Sequence, residues 1–184
     1  MTRDEAWQLA CSKVQADFLR KHLLAAEAIM RALARKFSAD EDTWGLAGLT
    51  HDIDWEVTES TPEQHSLVGA QWLAEVGFSP EVVEAVRVHN HTHGIEPKTL
   101  LEKSLWCAEE LTGLILACAF VQPDKKLASV KASSVKKKFK DKSFAAGVNR
   151  EIIGKCEEMI GLTLDELIEL ELKAMQEAAG ELGL

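Results

Sequence analysis

The sequence predicts an all-α protein. Alanine, leucine, glutamate and lysine are abundant, tyrosine is absent, and only four prolines occur in 184 residues, a composition that favours helices over strands. Apolar residues recur at helical spacing, and capping residues mark where helices begin. We see no internal repeat and no alternating strand pattern. We therefore expect one domain over residues 1–184, a compact helical bundle with its core at about residues 15–122, followed by a basic segment and two helices at about 123–184.

Two helices are predicted in the N-terminal part of the chain. The first runs from about Asp4 to Lys13 and the second from about Gln15 to Phe37. Residues three to four positions apart lie on one side of a helix, and this spacing gives the second helix an apolar face formed by Phe18, Ala26, Ile29 and Leu33. His22 lies on the same face. We expect its imidazole to point into the protein.

The middle of the chain alternates helix-start signals with breaks. Asp40 begins an acidic first turn, which suits the positive end of a helix dipole. Thr61-Pro62 and Ser79-Pro80 each place a capping residue before a proline at the first helical position. Residues 54–61 are polar and predict a loop. The predicted helices cover about residues 40–50, 61–77, 79–89 and 99–120.

The C-terminal part begins with a strongly basic stretch at residues 125–142, for which we expect short helical pieces at most. Asn149 caps a further helix that Gly161 closes. Thr163 and Glu166 have the spacing of a capping box, which predicts the start of the final helix.

Charge and composition restrict the possible partners. The formal net charge of −9 argues against a nucleic-acid polymer, because the average field would repel its phosphates. A small phosphorylated substrate needs only a local positive site, which metal ions supply. No apolar run is long enough to span a membrane, so we expect no membrane partner and a cytoplasmic protein; an oligomer remains possible. We expect the four cysteines (Cys11, Cys107, Cys118 and Cys156) to be buried hydrophobic residues.

All six histidines lie between residues 22 and 93. A single inward-facing histidine is usually a core residue with a hydrogen-bond partner, but several in one small domain would each need such a partner. A shared metal ion satisfies them together. Imidazole and carboxylate ligands suit zinc, manganese, iron, cobalt or nickel.

The pair His51-Asp52 is central to this pattern. Neighbouring side chains on a regular helix point about 100° apart, so the two could not readily bind one ion in mid-helix. The predicted helix ends near Thr50, where the backbone departs from that geometry. Both side chains could therefore converge on a single ion.

Histidines and acids in several other segments accompany the His51-Asp52 pair. These segments, with the one that holds the pair, are "RKHLLAAEAIMRALA", "GLAGLTHDID", "EQHSLVGAQWL", "AVRVHNHTHG" and "LLEKSLWCAEELTGLI". Together they make the chain resemble the HD superfamily over about Phe18 to Leu114. Their order is typical of HD proteins with two metals. The segments "HSLVGA" and "LLEK" also resemble the branch that cleaves dinucleoside polyphosphates symmetrically.

The resemblance implies a site and an activity. It implies that His22, His51, Asp52 and Glu109 bind a first metal, and that His65 and His89 bind a second, with Asp52 bridging the two. It also implies a metal-dependent hydrolase of a phosphate ester or anhydride in a small molecule, such as a nucleotide or dinucleoside polyphosphate. A metal-bound hydroxide would be the nucleophile, since two cations lower the pKa of bound water.

Three departures from the family pattern affect the site. Asp54 replaces the glycine of the common HDIG run and, like Glu56, is expected to be a polar loop residue; the alternative is that Asp54 orients a ligand or moves protons during catalysis. Glu109 stands where aspartate is usual. His91 and His93 are extra histidines, expected to be exposed loop residues unless one replaces His89 or contacts phosphate.

Two sets of lysines are candidates for binding phosphate. The "LLEK" resemblance makes Lys103 a candidate substrate-facing catalytic cation, nearly two turns before Glu109. The basic stretch is either a solvated face or a patch that steers phosphate to the metal site, and the sequence does not decide between them. Its lysines are Lys125, Lys126, Lys131, Lys136, Lys137, Lys138, Lys140 and Lys142.

Two other functions fit the same ligands. One is a dinuclear iron oxygenase, because a few HD proteins use these six positions to activate dioxygen. The other is a non-catalytic module that binds a nucleotide or a protein partner through the same pocket. The completeness of the ligand set argues against the module, since such a protein has no chemical need to keep every ligand.

Overall fold

The computed structural model describes residues 1–184 as helices joined by turns, with no strand. This confirms the all-α class. Short 3-10 turns occupy His91–His93 and Leu127–Ser129. The α-helices are α1 (Arg3–Lys13), α2 (Asp17–Phe37), α3 (Glu41–Thr50), α4 (Trp55–Thr58), α5 (Leu67–Glu75), α6 (Pro80–His89), α7 (Leu100–Phe120), α8 (Ala132–Lys140), α9 (Arg150–Ile153), α10 (Cys156–Ile160), α11 (Leu164–Glu177) and α12 (Ala179–Leu182).

Helix α2 lies at the centre of the N-terminal half. The carboxylate of Glu56 accepts hydrogen bonds from the main-chain N–H groups of Gln15 and Ala16 at 2.7–3.0 Å, so a residue from a later turn caps the start of α2. The expected buried position of Phe18 is wrong, because its side chain is 68 % exposed. The other three predicted positions, Ala26, Ile29 and Leu33, are buried, and Leu19, Leu23 and Met30 complete the buried stripe.

Helices α2 and α3 approach so closely that their backbones touch. Asp40 caps α3 by accepting a hydrogen bond from the Thr43 N–H at 2.8 Å. A Cβ atom added at Gly48 would lie 2.5 Å from the carbonyl oxygen of Ala26. Only glycine fits there, and this contact sets the distance between α2 and the end of α3.

The segment between α3 and α5 differs most from the sequence prediction. Residues 54–61, expected to form a loop, contain the single turn of α4. The predicted helix start at Thr61-Pro62 is wrong, because turns continue to Ser66 and α5 begins at Leu67. Ser66 has a left-handed φ of 71°, and its hydroxyl donates to the carbonyl of Arg87 at 3.0 Å. This tertiary bond delays the helix and leaves His65 on a turn.

The C-terminal half packs around α7, which is buried along most of its length. The basic stretch contains α8, a nine-residue helix longer than the short pieces expected. The predicted helix from Asn149 to Gly161 is broken into α9 and α10 at Gly154. The capping box of Thr163 and Glu166 is present at the start of α11, as predicted.

One hydrophobic cluster runs from Ala6 in α1 to Leu182 in α12. The four cysteines are free thiols; Cys107, Cys118 and Cys156 are buried as expected, whereas Cys11 is only partly buried. No helix combines the length and the apolarity that crossing a membrane requires.

We predict that Gly48→Ala lowers the free energy of unfolding by about 1–3 kcal/mol, the usual range for an overpacked core. The added methyl group would collide with the Ala26 carbonyl, and backbone atoms cannot move aside cheaply. Gly180→Ala is the control, because no atom lies within 4 Å of a Cβ built there. Urea unfolding of both variants checks this, and equal midpoints would show that α2 and α3 tolerate separation.

Candidate metal centre

Six side chains from separate segments converge at one place in the bundle. They are the residues predicted as ligands, and we refer to them as the histidine–carboxylate cluster: His22 on α2, His51 and Asp52 at the end of α3, His65 on the turn before α5, His89 at the end of α6, and Glu109 on α7. Their side chains are between 0 % and 18 % exposed.

The cluster divides into two groups. In the first, Nε2 of His22 lies 3.0 Å from Nε2 of His51. Oδ2 of Asp52 is 3.5 Å from both nitrogens. Oε2 of Glu109 is 3.6 Å from the His22 nitrogen and 3.8 Å from the His51 nitrogen. Two nitrogens and two carboxylate oxygens thus surround one small space.

The second group uses the other oxygen of the same aspartate. Oδ1 of Asp52 is 3.2 Å from Nε2 of His65 and 3.3 Å from Nε2 of His89. In each of the triads His22–His51–Asp52 and Asp52–His65–His89, the candidate ligand atoms lie within 4.8 Å of one another. Asp52 therefore joins the two groups, with one oxygen directed to each.

Helix ends orient two of the imidazoles. Nδ1–H of His51 donates to the carbonyl of Gly48 at 2.8 Å, and Nδ1–H of His89 donates to the carbonyl of Val86 at 2.6 Å. Both acceptors lie in the last turn of a helix, where carbonyls lack a helical partner. A carbonyl oxygen can only accept, so Nδ1 carries a proton in both rings and Nε2 faces the cluster.

Side chains orient the other two imidazoles. Nδ1 of His65 lies 2.9 Å from Oδ1 of Asp54. Nδ1 of His22 lies 3.0 Å from Oγ1 of Thr112, whose own hydroxyl proton goes to the carbonyl of Glu109 at 2.6 Å. Because that proton is already donated, Thr112 accepts from His22. All four Nδ1 atoms therefore donate to the protein, as is usual for metal-binding histidines.

The donor set fits divalent metal ions. Nε2 of His22 and Nε2 of His51 lie 3.0 Å apart, close enough for both nitrogens to bind one cation. Four nitrogens and two carboxylates suit first-row transition metals. The site could thus hold one ion in each group.

Burial and charge move the pKa values of the cluster apart. Burial tends to raise the pKa of Asp52, but the four surrounding histidines hold it well below its usual value. Burial, with Glu110 and Asp52 nearby, raises the pKa of Glu109 well above its usual value. Burial lowers the pKa of His51 to about 3, which keeps that imidazole neutral and able to bind metal.

Asp54 is fully buried, so the expectation of a polar loop residue is wrong. Its Oδ1 accepts from His65 and its Oδ2 accepts from the main-chain N–H of Gly69 at 2.8 Å. The aspartate that replaces the usual glycine therefore orients a histidine of the cluster. Glu56 lies away from the cluster and caps α2.

The two extra histidines have different positions. His91 is exposed, as expected, and its Nε2 lies 3.2 Å from Nδ2 of Asn149. His93 is partly buried, so the exposed position expected for it is wrong. Its Nε2 donates to the carbonyl of His65 at 2.7 Å, which fixes the turn that carries His65.

The predicted phosphate-binding lysines do not reach the cluster. Lys103 is six residues before Glu109 on α7, a rotation of about 240° at about 100° per residue, and it does not line the cavity above the cluster. No lysine of the basic stretch lines that cavity either. Lys136 instead pairs with Asp165 at 3.1 Å and Glu169 at 3.0 Å on α11.

A cavity of about 380 Å³, which we term the polar cavity, opens above the cluster. Sequence reasoning missed several residues of its wall, among them Trp55, Asn90, Gly147 and Val148. Asn90 and Trp55 stand next to predicted site segments, and that proximity was the only available signal. Gly147 and Val148 come from the C-terminal part, and nothing in the sequence near them points to a site.

The family model of the HD domain matches residues 19–119, more than half of the chain. The chain belongs to the HD domain family. The matched residues include the whole histidine–carboxylate cluster. Members of this family are generally metal-dependent hydrolases, which agrees with the donor set of the cluster.

The curated relatives are distant. The chain is 26 % identical over 93 residues to ribonuclease Y of Oleidesulfovibrio alaskensis, 29 % over 89 residues to that of Sulfurovum sp., and 31 % over 67 residues to that of Geobacter metallireducens. These matches cover 50 %, 48 % and 36 % of this chain, but only 18 %, 17 % and 12 % of the relatives. The chain thus matches less than a fifth of each relative's length. No solved structure matches the chain.

We predict that Asp54→Asn lowers metal affinity or activity by about 10–100-fold, the range seen when the group that orients a ligand is changed. The amide cannot accept from both His65 and Gly69, because one of its two ends is a donor. Glu59→Gln is the control, an exposed acid of the same segment. Metal titration by calorimetry checks this, and equal affinity in both variants would show that Asp54 does not orient His65.

We predict that metal binding to the second group strengthens with pH up to about 9. Burial tends to lower the pKa of His65, but its hydrogen bonds to the carboxylates of Asp52 and Asp54 raise it to about 9. Below that pH the imidazole carries a proton that a metal must displace, so affinity falls by up to about tenfold per pH unit. Calorimetry at pH 6, 7 and 8 tests this, and a pH-independent affinity would contradict it.

Proposed function

We propose that the chain is a metal-dependent hydrolase of a phosphate ester or anhydride in a small molecule. The observation that carries this proposal is the convergence of four Nε2 atoms on the two oxygens of Asp52, at 3.2–3.5 Å. When bound, a pair of divalent ions supplies Lewis acidity to a phosphoryl oxygen and acidifies water. The ions of choice for these ligands are iron, manganese, cobalt, nickel or zinc.

In this proposal each residue has a separate task. His22, His51 and Glu109 hold the first ion, and His65 and His89 hold the second. Asp52 bridges them, and its lowered pKa keeps it ionised. Asp54 positions His65 and is not itself a catalytic residue. The second group has fewer protein ligands than the first, which leaves more of its coordination sphere to water or substrate.

The resemblance to the dinucleoside polyphosphate branch makes nucleotides and dinucleoside polyphosphates the first substrates to test. The curated relatives are ribonucleases by name, which makes RNA a second candidate substrate. The net charge of −9 and a polar cavity lined by no lysine or arginine argue against a nucleic-acid polymer. We therefore favour a small substrate.

The proposal predicts about two metal ions per chain and release of inorganic phosphate after reloading. The protein would be stripped with a chelator, reloaded with each ion, analysed for metal and assayed on a panel of nucleotides. Two ions with oxygen consumption and no phosphate release would support the iron oxygenase. No turnover of any kind would support the non-catalytic module.

We predict that His65→Ala and His89→Ala lose turnover by at least about a hundredfold but keep one metal ion. These residues reach only the second group, so the first group keeps its ligands. Metal analysis beside the phosphate assay tests this. Full activity in excess metal would make the second group irrelevant to catalysis and favour a mononuclear enzyme.

Glu109 and Glu110 provide a matched pair. Glu109→Gln should lose metal and activity, because a neutral amide is a poor replacement for a carboxylate ligand. Glu110→Gln should change little, since its amide oxygen can still accept from the Asn149 N–H, now at 3.0 Å. Metal content and circular dichroism of both variants test which of the two carboxylates binds metal. The reverse pattern would show that Glu110 is the ligand.

A further inference from the structure

A second cavity of about 500 Å³, which we term the apolar cavity, adjoins the polar cavity. The two share His22, Asp52 and Trp55 in their walls, so they meet at the histidine–carboxylate cluster. The apolar cavity extends from there between α2 and α7. Six apolar side chains form most of its wall: Phe18, Leu19, Trp55, Leu116, Ala117 and Phe120.

The rings in this wall are unusually exposed. Phe18 is 68 % exposed, Phe120 is 49 % exposed and Trp55 is 40 % exposed. They come from three separate helices and gather around one cavity, whereas single exposed apolar residues are ordinarily scattered. An apolar group bound there would remove ring surface from water.

Polar groups are almost absent from the apolar cavity. Apart from His22 and Asp52 of the cluster, its one polar side chain is Lys21, whose Nζ lies 3.0 Å from Oδ2 of Asp17. No serine, threonine, asparagine, glutamine or arginine lines it. A nucleobase would find few partners for its edge there, and a polyphosphate chain would find one cation already paired.

Trp55 connects the two cavities. Its ring meets His65 edge-on, with the ring centroids 4.8 Å apart and the planes at 90°. The same residue lines both cavities. A molecule with its apolar part beside Trp55 would therefore have its other end at the cluster.

We propose that the apolar cavity binds the organic group of the substrate, and that the substrate is a phosphate monoester of an apolar alcohol. This inference rests on the proposed function and narrows it. In the reaction the oxygen of water bonds to phosphorus and the bond from phosphorus to the ester oxygen breaks. One proton of water passes to the departing alcohol, and the products are the free alcohol and inorganic phosphate.

Hydrolysis of ethyl, butyl, hexyl and octyl phosphate by the metal-loaded protein tests the inference. We expect kcat/KM to rise by up to about fourfold per added methylene, the fold-change for about 0.8 kcal/mol per buried CH₂, until the chain fills the cavity. Adenosine monophosphate should be a poorer substrate than octyl phosphate.

Phe18→Ser and Phe120→Ser should weaken the dependence of kcat/KM on chain length. Val121→Ser is the matched control, because Val121 is 61 % exposed, adjoins Phe120 and does not line the apolar cavity.

Calorimetric measurement of the binding of octylphosphonate and ethylphosphonate tests this inference separately from the proposed function. Tighter binding of the octyl compound, weakened by Phe120→Ser, supports the cavity even if no ester is hydrolysed, a result that would overturn only the proposed function. Hydrolysis of every ester at one rate, with equal binding of the two phosphonates, would overturn the inference alone. Serine variants that change the oligomeric state without changing chain-length dependence would also overturn it and make this face an interface between copies.

Discussion

The geometry of the cluster depends on where four imidazole protons are held. Each Nδ1 proton is donated to an oxygen of the protein, on Gly48, Val86, Asp54 or Thr112. Each Nε2 atom must then face the centre. Two of the four acceptors are carbonyls in the last turns of α3 and α6, which those helices leave free. The ends of α3 and α6 therefore orient two of the four imidazoles, and side chains orient the other two.

This arrangement requires precise packing of distant segments. His22 and His51 approach to 3.0 Å because α2 and α3 touch at Gly48, where a larger residue would hold them apart. The carboxylates add a second constraint, since burial raises the pKa of Glu109 while neighbouring histidines lower that of Asp52. Two acids in one small space thus differ in their tendency to ionise, as expected where burial and partner charges compete.

Much of the fold and the cluster could be predicted from the sequence. Helical periodicity and capping residues located most helices, and the order of histidines and acids indicated which side chains meet. The remaining features depend on tertiary contacts, which the sequence does not reveal. The role of Asp54 depends on an N–H from Gly69, and the late start of α5 depends on a bond from Ser66 to Arg87. The "LLEK" resemblance suggests Lys103 as a substrate-facing cation, but six residues along α7 rotate it by about 240° from Glu109, and it does not line the polar cavity.

Gly147 and Val148 line the polar cavity but lie outside residues 19–119, which match the family model. A Cβ built on Gly113 of α7 would lie 3.4 Å from Cγ2 of Val148, so the later segment rests directly on the family core. The histidine–carboxylate cluster therefore lies within the family core, whereas part of the cavity wall comes from a later segment. That later segment can change in sequence while the cluster stays constant, so relatives with the same cluster can differ in the substrates that they accept.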